Sequence, residues 1–167
     1  MKINTLVLGY LDTNCYIISK GNKCIIIDPA AETKIILAAV KDMEVQGILV
    51  THYHPDHIGA LNDLSKKYKV YDLKEGDHKI CSFKFKVIDT KGHTSDSKTY
   101  YFEKDKVMFT GDFLFKGTIG RTDLPTGNMD EMKKSIKLIK TYPDVKIYPG
   151  HGESTTLDEE KKSNIYF

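Results

Sequence analysis

The chain has 167 residues, 25 lysines and arginines against 23 aspartates and glutamates, and a formal net charge of +2. This length suits one domain over residues 1–167 with a full hydrophobic core, and no segment approaches the roughly 20 apolar residues of a membrane-spanning helix. The lysines are scattered, so the charge pattern does not indicate a nucleic-acid partner. The N-terminal residues lack the layout of a secretory signal, and we expect a cytoplasmic protein without membrane contact.

The first third of the chain is expected to form a small sheet and then a helix. Runs rich in β-branched residues, separated by turn-forming Gly, Asn and Asp, predict strands at Ile3–Leu8, Cys15–Ser19 and Lys23–Asp28. Apolar residues at helical spacing predict a helix over Ala30–Met43, and a short buried strand follows at Gly47–Val50.

The rest of the chain alternates between helical and strand patterns. Pro55 suits the first position of a helix that carries an apolar stripe, and a longer helix is predicted over Asn128–Tyr142, with Glu131 three residues after the cap. Thr156 and Glu159 form a capping box for a terminal helix. Strands are predicted at Ile80–Ile88, Lys98–Phe102, Val107–Thr110 and Val145–Tyr148.

The three cysteines, Cys15, Cys24 and Cys81, are widely spaced and include no C-x-x-C pair. This spacing indicates neither a disulfide framework nor a structural zinc knot. We expect reduced thiols with a packing role.

The segment THYHPDHIGA, residues 51–60, places three of the six histidines directly after a predicted strand. In an extended chain, side chains at i and i+2 point the same way, so His52 and His54 can share one metal ion. Asp56 and His57 lie at the start of the next helix, and their side chains face a neighbouring point where a second ion can bind. One segment can therefore serve two ions.

Three further segments place a potential ligand just beyond a predicted strand. His93 follows the glycine of KGH, Asp112 lies in GDFLF, and His151 lies in PGHGE. His78 is instead expected on a polar turn at the surface and is not a ligand candidate.

Imidazole and carboxylate ligands suit zinc, iron or manganese, and three or four protein ligands per ion leave positions open for catalysis. Two divalent ions, offset by two aspartates and one bridging hydroxide, leave about one unit of positive charge, which favours an anionic substrate. Hydroxide held between two such ions is a nucleophile at neutral pH. The residues thus predict hydrolysis of an activated acyl group.

The ordered set THYHPDH, GH, GD and PGHG resembles the metallo-β-lactamase superfamily, and its glyoxalase II-like branch in particular. The resemblance also covers TNCYIIS, IIIDPA and GDFLFKGTIGRTDLPTG. It implies an α+β fold, a four-layer αββα sandwich with the site at one edge of two sheets. It further implies a first metal on His52, His54 and His93, a second on Asp56, His57 and His151, and Asp112 bridging both.

One supporting role follows from the same resemblance, and the others follow from the chemistry of the residues. Asp28, at the end of IIID, is expected to orient the metal loops through hydrogen bonds. Arg121 is the only arginine, and we expect it to pair with a carboxylate rather than contact substrate. Asp56 and Asp112 are the candidate catalytic carboxylates, Asp56 through proton transfer to the leaving group as well as metal binding.

The leading interpretation is a two-metal hydrolase of small anionic acyl thioesters, such as S-lactoylglutathione, with Zn²⁺ as the expected metal. We expect a protein without the additional C-terminal helical region of glyoxalase II enzymes, and TSDS follows His93 where relatives often have a Pro-Gly turn. The absence of cysteine from the metal segments argues against β-lactamases that use a Cys ligand.

The alternatives are an iron-dependent persulfide dioxygenase, a lactonase, a nuclease and a non-catalytic metal-binding protein. The sequence gives no indication of oligomeric state.

Overall fold

A computed structural model describes all residues from Met1 to Phe167. Twelve strands, β1 to β12, are Lys2–Leu8, Thr13–Lys20, Lys23–Ile27, Glu44–Leu49, Gly76–Ile80, Phe83–Asp89, Lys98–Phe102, Val107–Gly111, Leu114–Phe115, Thr118–Ile119, Lys146–Pro149 and Thr155–Thr156. Five helices, α1 to α5, are Thr33–Ala39, Pro55–Ile58, Leu61–Ser65, Met129–Ile139 and Leu157–Ser163, and a 3-10 turn covers Glu103–Asp105. None of the helices has the length and apolar character needed to cross a membrane.

The strands form two main sheets and a small ribbon of β9 and β10. The first sheet has the order β1-β2-β3-β4, and the second has the order β12-β11-β8-β7-β6-β5. Each main sheet contains one parallel pair, β3 with β4 and β8 with β11. Because parallel strands end at the same edge of a sheet, the loops after β3 and β4 lie together in the first sheet, and those after β8 and β11 lie together in the second.

Three hydrophobic clusters define the layers. The first, 13 buried residues, fills the space between the sheets with side chains such as Ile25 from β3 and Phe109 from β8. The second packs α1 and α3 on the outer face of the first sheet, and the third packs α4 and α5 on the outer face of the second. The predicted four-layer αββα sandwich is confirmed.

The prediction of a helix over Ala30–Met43 is wrong at both ends, since α1 covers only Thr33–Ala39. Asp28 and Glu32 have φ angles of 51° and 46°, and this left-handed backbone excludes a helix before Thr33. The helix predicted from Pro55 is likewise divided into α2 and α3. Between them the Ala60 amide donates to the Pro29 carbonyl at 3.0 Å, so tertiary contacts interrupt the helix.

The single strand predicted over Ile80–Ile88 is also wrong, because the chain reverses at Cys81 and pairs Ile80 with Phe83. Cys81 adopts a positive φ of 50° in this hairpin, a conformation for which the sequence contains no Gly, Asn or Asp signal. His78 therefore lies on β5, not on a turn. Sequence patterns also did not predict the two-residue strands β9, β10 and β12.

The caps of the two long C-terminal helices are formed by the predicted residues. Asn128 Oδ1 accepts from the amides of Asp130 and Glu131, at 2.9 and 3.0 Å, and Thr156 Oγ1 accepts from the Glu159 amide at 3.2 Å. The return half of the first capping box is absent, because the Asn128 amide donates instead to the Gly92 carbonyl at 2.8 Å. That bond joins the start of α4 to the loop before His93.

The three cysteines are free thiols, as expected. Cys15 and Cys24 are buried beneath the helices that cover the first sheet, whereas Cys81 is exposed at the hairpin turn, so the predicted packing role is wrong for Cys81.

We expect Cys81→Gly to raise the free energy of unfolding by about 0.5 to 1 kcal/mol. A left-handed conformation costs an L-residue roughly 1 to 2 kcal/mol, and glycine avoids this cost. Glycine also raises the conformational entropy of the unfolded chain, and this effect cancels part of the gain in stability. Urea denaturation measures the difference. Ser82→Gly is the control, since Ser82 in the same turn has no positive φ, and it is expected to lose stability. A Cys81→Gly protein no more stable than the parent would contradict the assigned backbone strain.

Candidate metal centre

Four loops meet at one edge of the sandwich, each following a strand: residues 50–54 after β4, 90–97 after β6, 112–113 after β8 and 150–154 after β11. The Gly150 amide donates to the Gly111 carbonyl at 2.9 Å, which continues the parallel pairing of β8 and β11 into the loops. The Lys98 amide donates to the Thr51 carbonyl at 2.8 Å and ties the second sheet to the first. All seven side chains predicted as ligands come together here.

The first group of donor atoms belongs to His52, His54 and His93, which lie within 4.8 Å of one another. His93 Nε2 is 2.9 Å from His54 Nδ1. His93 Nδ1 donates to the Arg121 carbonyl at 2.8 Å, and this bond turns Nε2 toward the other two histidines.

The second group consists of Asp56, His57 and His151, again within 4.8 Å. Asp56 Oδ2 is 3.2 Å from His151 Nε2 and 3.5 Å from His57 Nε2. His151 Nδ1 donates to the Leu11 carbonyl at 3.0 Å, so its Nε2 also faces the centre.

Asp112 lies between the two groups. Its Oδ1 is 3.2 Å from His57 Nε2. Its Oδ2 is 3.6 Å from His93 Nε2 and 3.5 Å from His151 Nε2. One carboxylate thus reaches nitrogen atoms of both groups.

Three buried atoms of this centre have no hydrogen-bond partner: His52 Nε2, His57 Nε2 and Asp112 Oδ1. His57 Nε2 and Asp112 Oδ1 lie 3.2 Å apart but do not have the geometry of a hydrogen bond. Buried polar atoms in proteins are almost always satisfied. Imidazole nitrogens and carboxylate oxygens that converge in this way fit divalent transition metals such as zinc, iron or manganese.

Two glycines leave the space that this convergence needs. A Cβ at Gly150 would overlap Asp112 Oδ1 and approach His57, and a Cβ at Gly120 would overlap the Asp112 carbonyl. The close approach of backbone to ligand side chains therefore requires glycine at both positions.

The electrostatics of the histidines differ with their neighbours. Burial, followed by the neighbouring His57, lowers the pKa of the His52 imidazole to about 3. Burial opposes protonation of His57, but the carboxylates of Asp28 and Asp112 outweigh it and raise the pKa of this imidazole to about 10. Buried carboxylates therefore favour positive charge at the second group.

The same balance applies to the exposed side of the centre. Burial opposes protonation of His151, yet the nearby carboxylates of Asp112 and Asp56 raise the pKa of this imidazole to about 10. Burial also opposes ionisation of Asp112, but His151 and His57 hold the pKa of its carboxyl far below the usual range. The carboxylates are ionised and available as ligands.

Asp28 is buried directly behind the centre. Its Oδ1 accepts from the Thr51 amide and its Oδ2 from the Thr51 hydroxyl, both at 2.7 Å. Oδ2 also accepts from His57 Nδ1 at 2.9 Å, which fixes the tautomer that presents His57 Nε2 to the centre. This is the orienting position that the resemblance implied for Asp28.

Arg121 contributes to the centre through its backbone. Its guanidinium is exposed and pairs with Asp123, with two bonds of 2.7 Å. Its carbonyl oxygen is the acceptor for His93. His78 lies away from the centre, with Nε2 bonded to the Lys74 carbonyl at 2.7 Å.

Sequence reasoning missed two side chains that contact the predicted residues. Thr13 Oγ1 donates to Asp56 Oδ2 at 2.9 Å, and the Thr51 hydroxyl bonds to Asp28. The available signal for Thr51 was its position at the end of a predicted strand, immediately before the histidines. For Thr13 the signal was the segment TNCY, which was noted only as part of the resemblance.

A family model described as the metallo-beta-lactamase superfamily matches residues 8–79 and 82–151. The chain belongs to the metallo-β-lactamase superfamily. The matched ranges contain all seven residues of the centre.

Three members of the superfamily illustrate its range. The hydroxyacylglutathione hydrolase GloC of Haemophilus influenzae is 29% identical over 207 residues, covering 99% of this chain and 98% of that protein. The crystal structure of TTHA1623 in a di-iron-bound form has a TM-score of 0.89 at 27% identity, covering 98% of this chain and 100% of the other. The crystal structure of BLEG-1 B3 metallo-beta-lactamase has a TM-score of 0.89 at 28% identity and covers 99% of both chains.

We expect Gly150→Ala to weaken metal binding of this superfamily member at least about tenfold, because a methyl group fills the space between Asp112 and His57. Competition with a chromophoric chelator measures the affinity. Gly152→Ala is the matched control on the other side of His151. Its Cβ would meet no atom, although its φ of 72° costs some stability. Wild-type affinity in the Gly150→Ala protein would contradict the geometry of the centre.

Proposed function

We propose that this protein hydrolyses acyl thioesters with two divalent cations, as a glyoxalase II-like member of its superfamily. The observation that carries the proposal is the convergence of seven side chains in which three buried donor atoms have no hydrogen-bond partner. The similarity to GloC over 98% of that protein supports the substrate class.

The proposed ligands of the first cation are His52, His54 and His93, and those of the second are Asp56, His57 and His151. Asp112 is proposed to contact both. We propose Zn²⁺ as the metal, while the same donors also suit iron, and one relative is described in a di-iron form. Cations in these positions would lower the pKa of water to about 7 and polarise a carbonyl oxygen.

Thioester hydrolysis breaks the bond between the acyl carbon and sulfur, forms a new carbon–oxygen bond from water, and releases a carboxylic acid and a thiol. Asp56 is the carboxylate proposed to carry the proton toward the leaving sulfur. Its side chain is 15% exposed, whereas that of His57 is fully buried, so Asp56 is accessible from the solvent side. Asp28 keeps His57 in the tautomer that leaves Nε2 free to bind.

A cytoplasmic location and a single domain over residues 1–167 stay part of this proposal. The proposed substrate is a small anionic thioester, since the positive charge of two cations exceeds the negative charge of the carboxylates around them.

The half-sites can be separated by substitution. We expect His54→Ala to lose chiefly the first cation, because His54 groups only with His52 and His93. We expect His57→Ala to lose chiefly the second, because His57 groups with Asp56 and His151, although its imidazole also lies near His52 and Asp112. Asp112→Ala is expected to be worse than either, because its carboxylate reaches both groups. Elemental analysis and thioesterase rates measure the effects.

His78→Ala is the control for these variants, because His78 lies on β5 outside the centre. It is expected to keep two cations and full activity. His57→Ala protein with two cations and near-normal turnover would show that the second site is wrongly assigned. One bound iron in the wild type, with oxygen consumption on a persulfide, would favour the dioxygenase instead.

The thiol portion of the substrate is expected to matter little. The alignment with GloC spans 207 positions, whereas this chain has 167 residues, so about 40 positions of that relative have no counterpart here. Remote parts of a substrate contribute binding energy only where protein surface receives them. Thioesters of different small thiols should therefore have similar kcat/KM.

A panel of S-lactoylglutathione and lactoyl thioesters of smaller thiols measures this preference, with a lactone and a β-lactam as comparison substrates. A preference above about a hundredfold for the glutathione thioester, or about 2.7 kcal/mol of discriminating contacts, would contradict the expectation. Faster hydrolysis of the lactone or β-lactam than of any thioester would contradict the proposed substrate class.

A further inference from the structure

The connection between β1 and β2 contacts the centre, since the Leu11 carbonyl accepts from His151 Nδ1. It continues into Thr13 and Asn14, the first residues of β2, whose side chains are 1% and 3% exposed. Neither residue is a candidate ligand, and the proposed mechanism gives neither a role. Their hydrogen bonds nevertheless end on the loops that form the centre.

Asn14 holds the loop that carries His151. Its Nδ2 donates to the carbonyls of Pro149 and Gly152, both at 3.0 Å, and its backbone amide donates to the Gly150 carbonyl at 2.7 Å. The three acceptors lie on both sides of His151 in the chain. One amide side chain and its own backbone therefore fix the loop on either side of this imidazole.

Thr13 acts on the other member of the same group. Its hydroxyl donates to Asp56 Oδ2 at 2.9 Å, and Oδ2 is the oxygen that lies 3.2 Å from His151 Nε2. Thr13 also forms an isolated antiparallel bridge with His151. The preceding connection supplies the Leu11 carbonyl that orients the His151 ring.

These contacts are confined to one half of the centre. Asp56 and His151 both belong to the second group of donors. The first group is held by other elements, since His93 bonds to the Arg121 carbonyl and His52 Nδ1 lies 3.1 Å from the Thr51 hydroxyl. No hydrogen bond joins Thr13 or Asn14 to the first group.

We infer that Thr13 and Asn14 are positioning residues for the second cation and have little influence on the first. The inference rests on the two-cation assignment of the proposed function. Without the Thr13 hydroxyl the Asp56 carboxylate can rotate. Without the Asn14 side-chain amide the Gly152 carbonyl, which follows His151, loses its donor, while the Tyr16 hydroxyl still bonds to the Pro149 carbonyl at 2.6 Å and the backbone amide of residue 14 still bonds to Gly150. Loss of such partners of metal ligands typically costs about 10- to 100-fold in metal affinity.

Zn²⁺ titration of metal-free protein against a competing chelator gives two stepwise dissociation constants. The His54→Ala and His57→Ala variants, each expected to lose one cation, assign the constants to the two sites. We expect Thr13→Val and Asn14→Ala to raise the dissociation constant of the second site about 10- to 100-fold. The dissociation constant of the first site is expected to stay within about threefold of the wild-type value. Thr13→Ser keeps the hydroxyl and is expected to restore the second constant.

The chain offers matched controls in a buried network away from the centre. Thr155 Oγ1 donates to Glu160 Oε1 at 2.7 Å, and Asn164 Nδ2 donates to the Thr118 carbonyl and to Glu160 Oε2 at 3.1 and 2.7 Å. Thr155→Val and Asn164→Ala remove the same kinds of buried hydrogen bond. Both are expected to lower the melting temperature of metal-free protein and to leave both constants unchanged.

Two results would overturn the inference: an unchanged second constant in Thr13→Val and Asn14→Ala, or an equal rise of both constants. If Asn14→Ala does not fold, the comparison of Thr13→Val with Thr13→Ser decides the question alone. The wild type reports separately on the proposed function. A wild-type chain that binds one cation contradicts the two-cation hydrolase and removes the site on which Thr13 and Asn14 are inferred to act.

Discussion

The hydrogen bonds of the Asp28 carboxylate determine how the rest of the centre is arranged. Its three partners, the Thr51 amide, the Thr51 hydroxyl and His57 Nδ1, belong to the end of β4 and to α2. A buried carboxylate without such donors would be strongly destabilising. The loop of THYHPDHIGA therefore has one conformation that satisfies Asp28, and in that conformation the imidazoles face inward. The left-handed backbone of Asp28 is the local strain that accompanies this arrangement.

Residue types and their spacing were sufficient to predict the members of the centre. H-x-H-x-D-H after a strand, with His93, Asp112 and His151 each beyond another strand, specified positions that the sheet topology brings together. The layered fold was predicted from the resemblance to the metallo-β-lactamase superfamily, with which the strand and helix order read from apolar periodicity agrees. For the centre and for the individual strands and helices the decisive information is local, and tertiary contacts there act in the same direction as the local pattern.

The failures have a common cause in contacts between distant segments. The helix predicted over Ala30–Met43 begins late because the backbone before it has another conformation. Asp28 is left-handed, and the Pro29 carbonyl accepts a hydrogen bond from the Ala60 amide. The hairpin at Cys81 forms because β5 buries Ile80 and β6 buries Phe83 and Phe85 between the two sheets, and this burial outweighs an unfavourable turn residue. Backbone acceptors such as the Leu11 and Arg121 carbonyls could not be found from residue types, since every residue has a carbonyl.

The assembly of the centre from four loops has a kinetic consequence. Its donors extend from residue 52 to residue 151 and come from both sheets, so the binding site exists only after the sheets have docked. Contacts of such high sequence separation form late in folding. Cations that bind only the docked state cannot guide the early chain, and interactions absent from the transition state act mainly on the unfolding rate. Metal should therefore extend the lifetime of the folded protein far more than it accelerates folding.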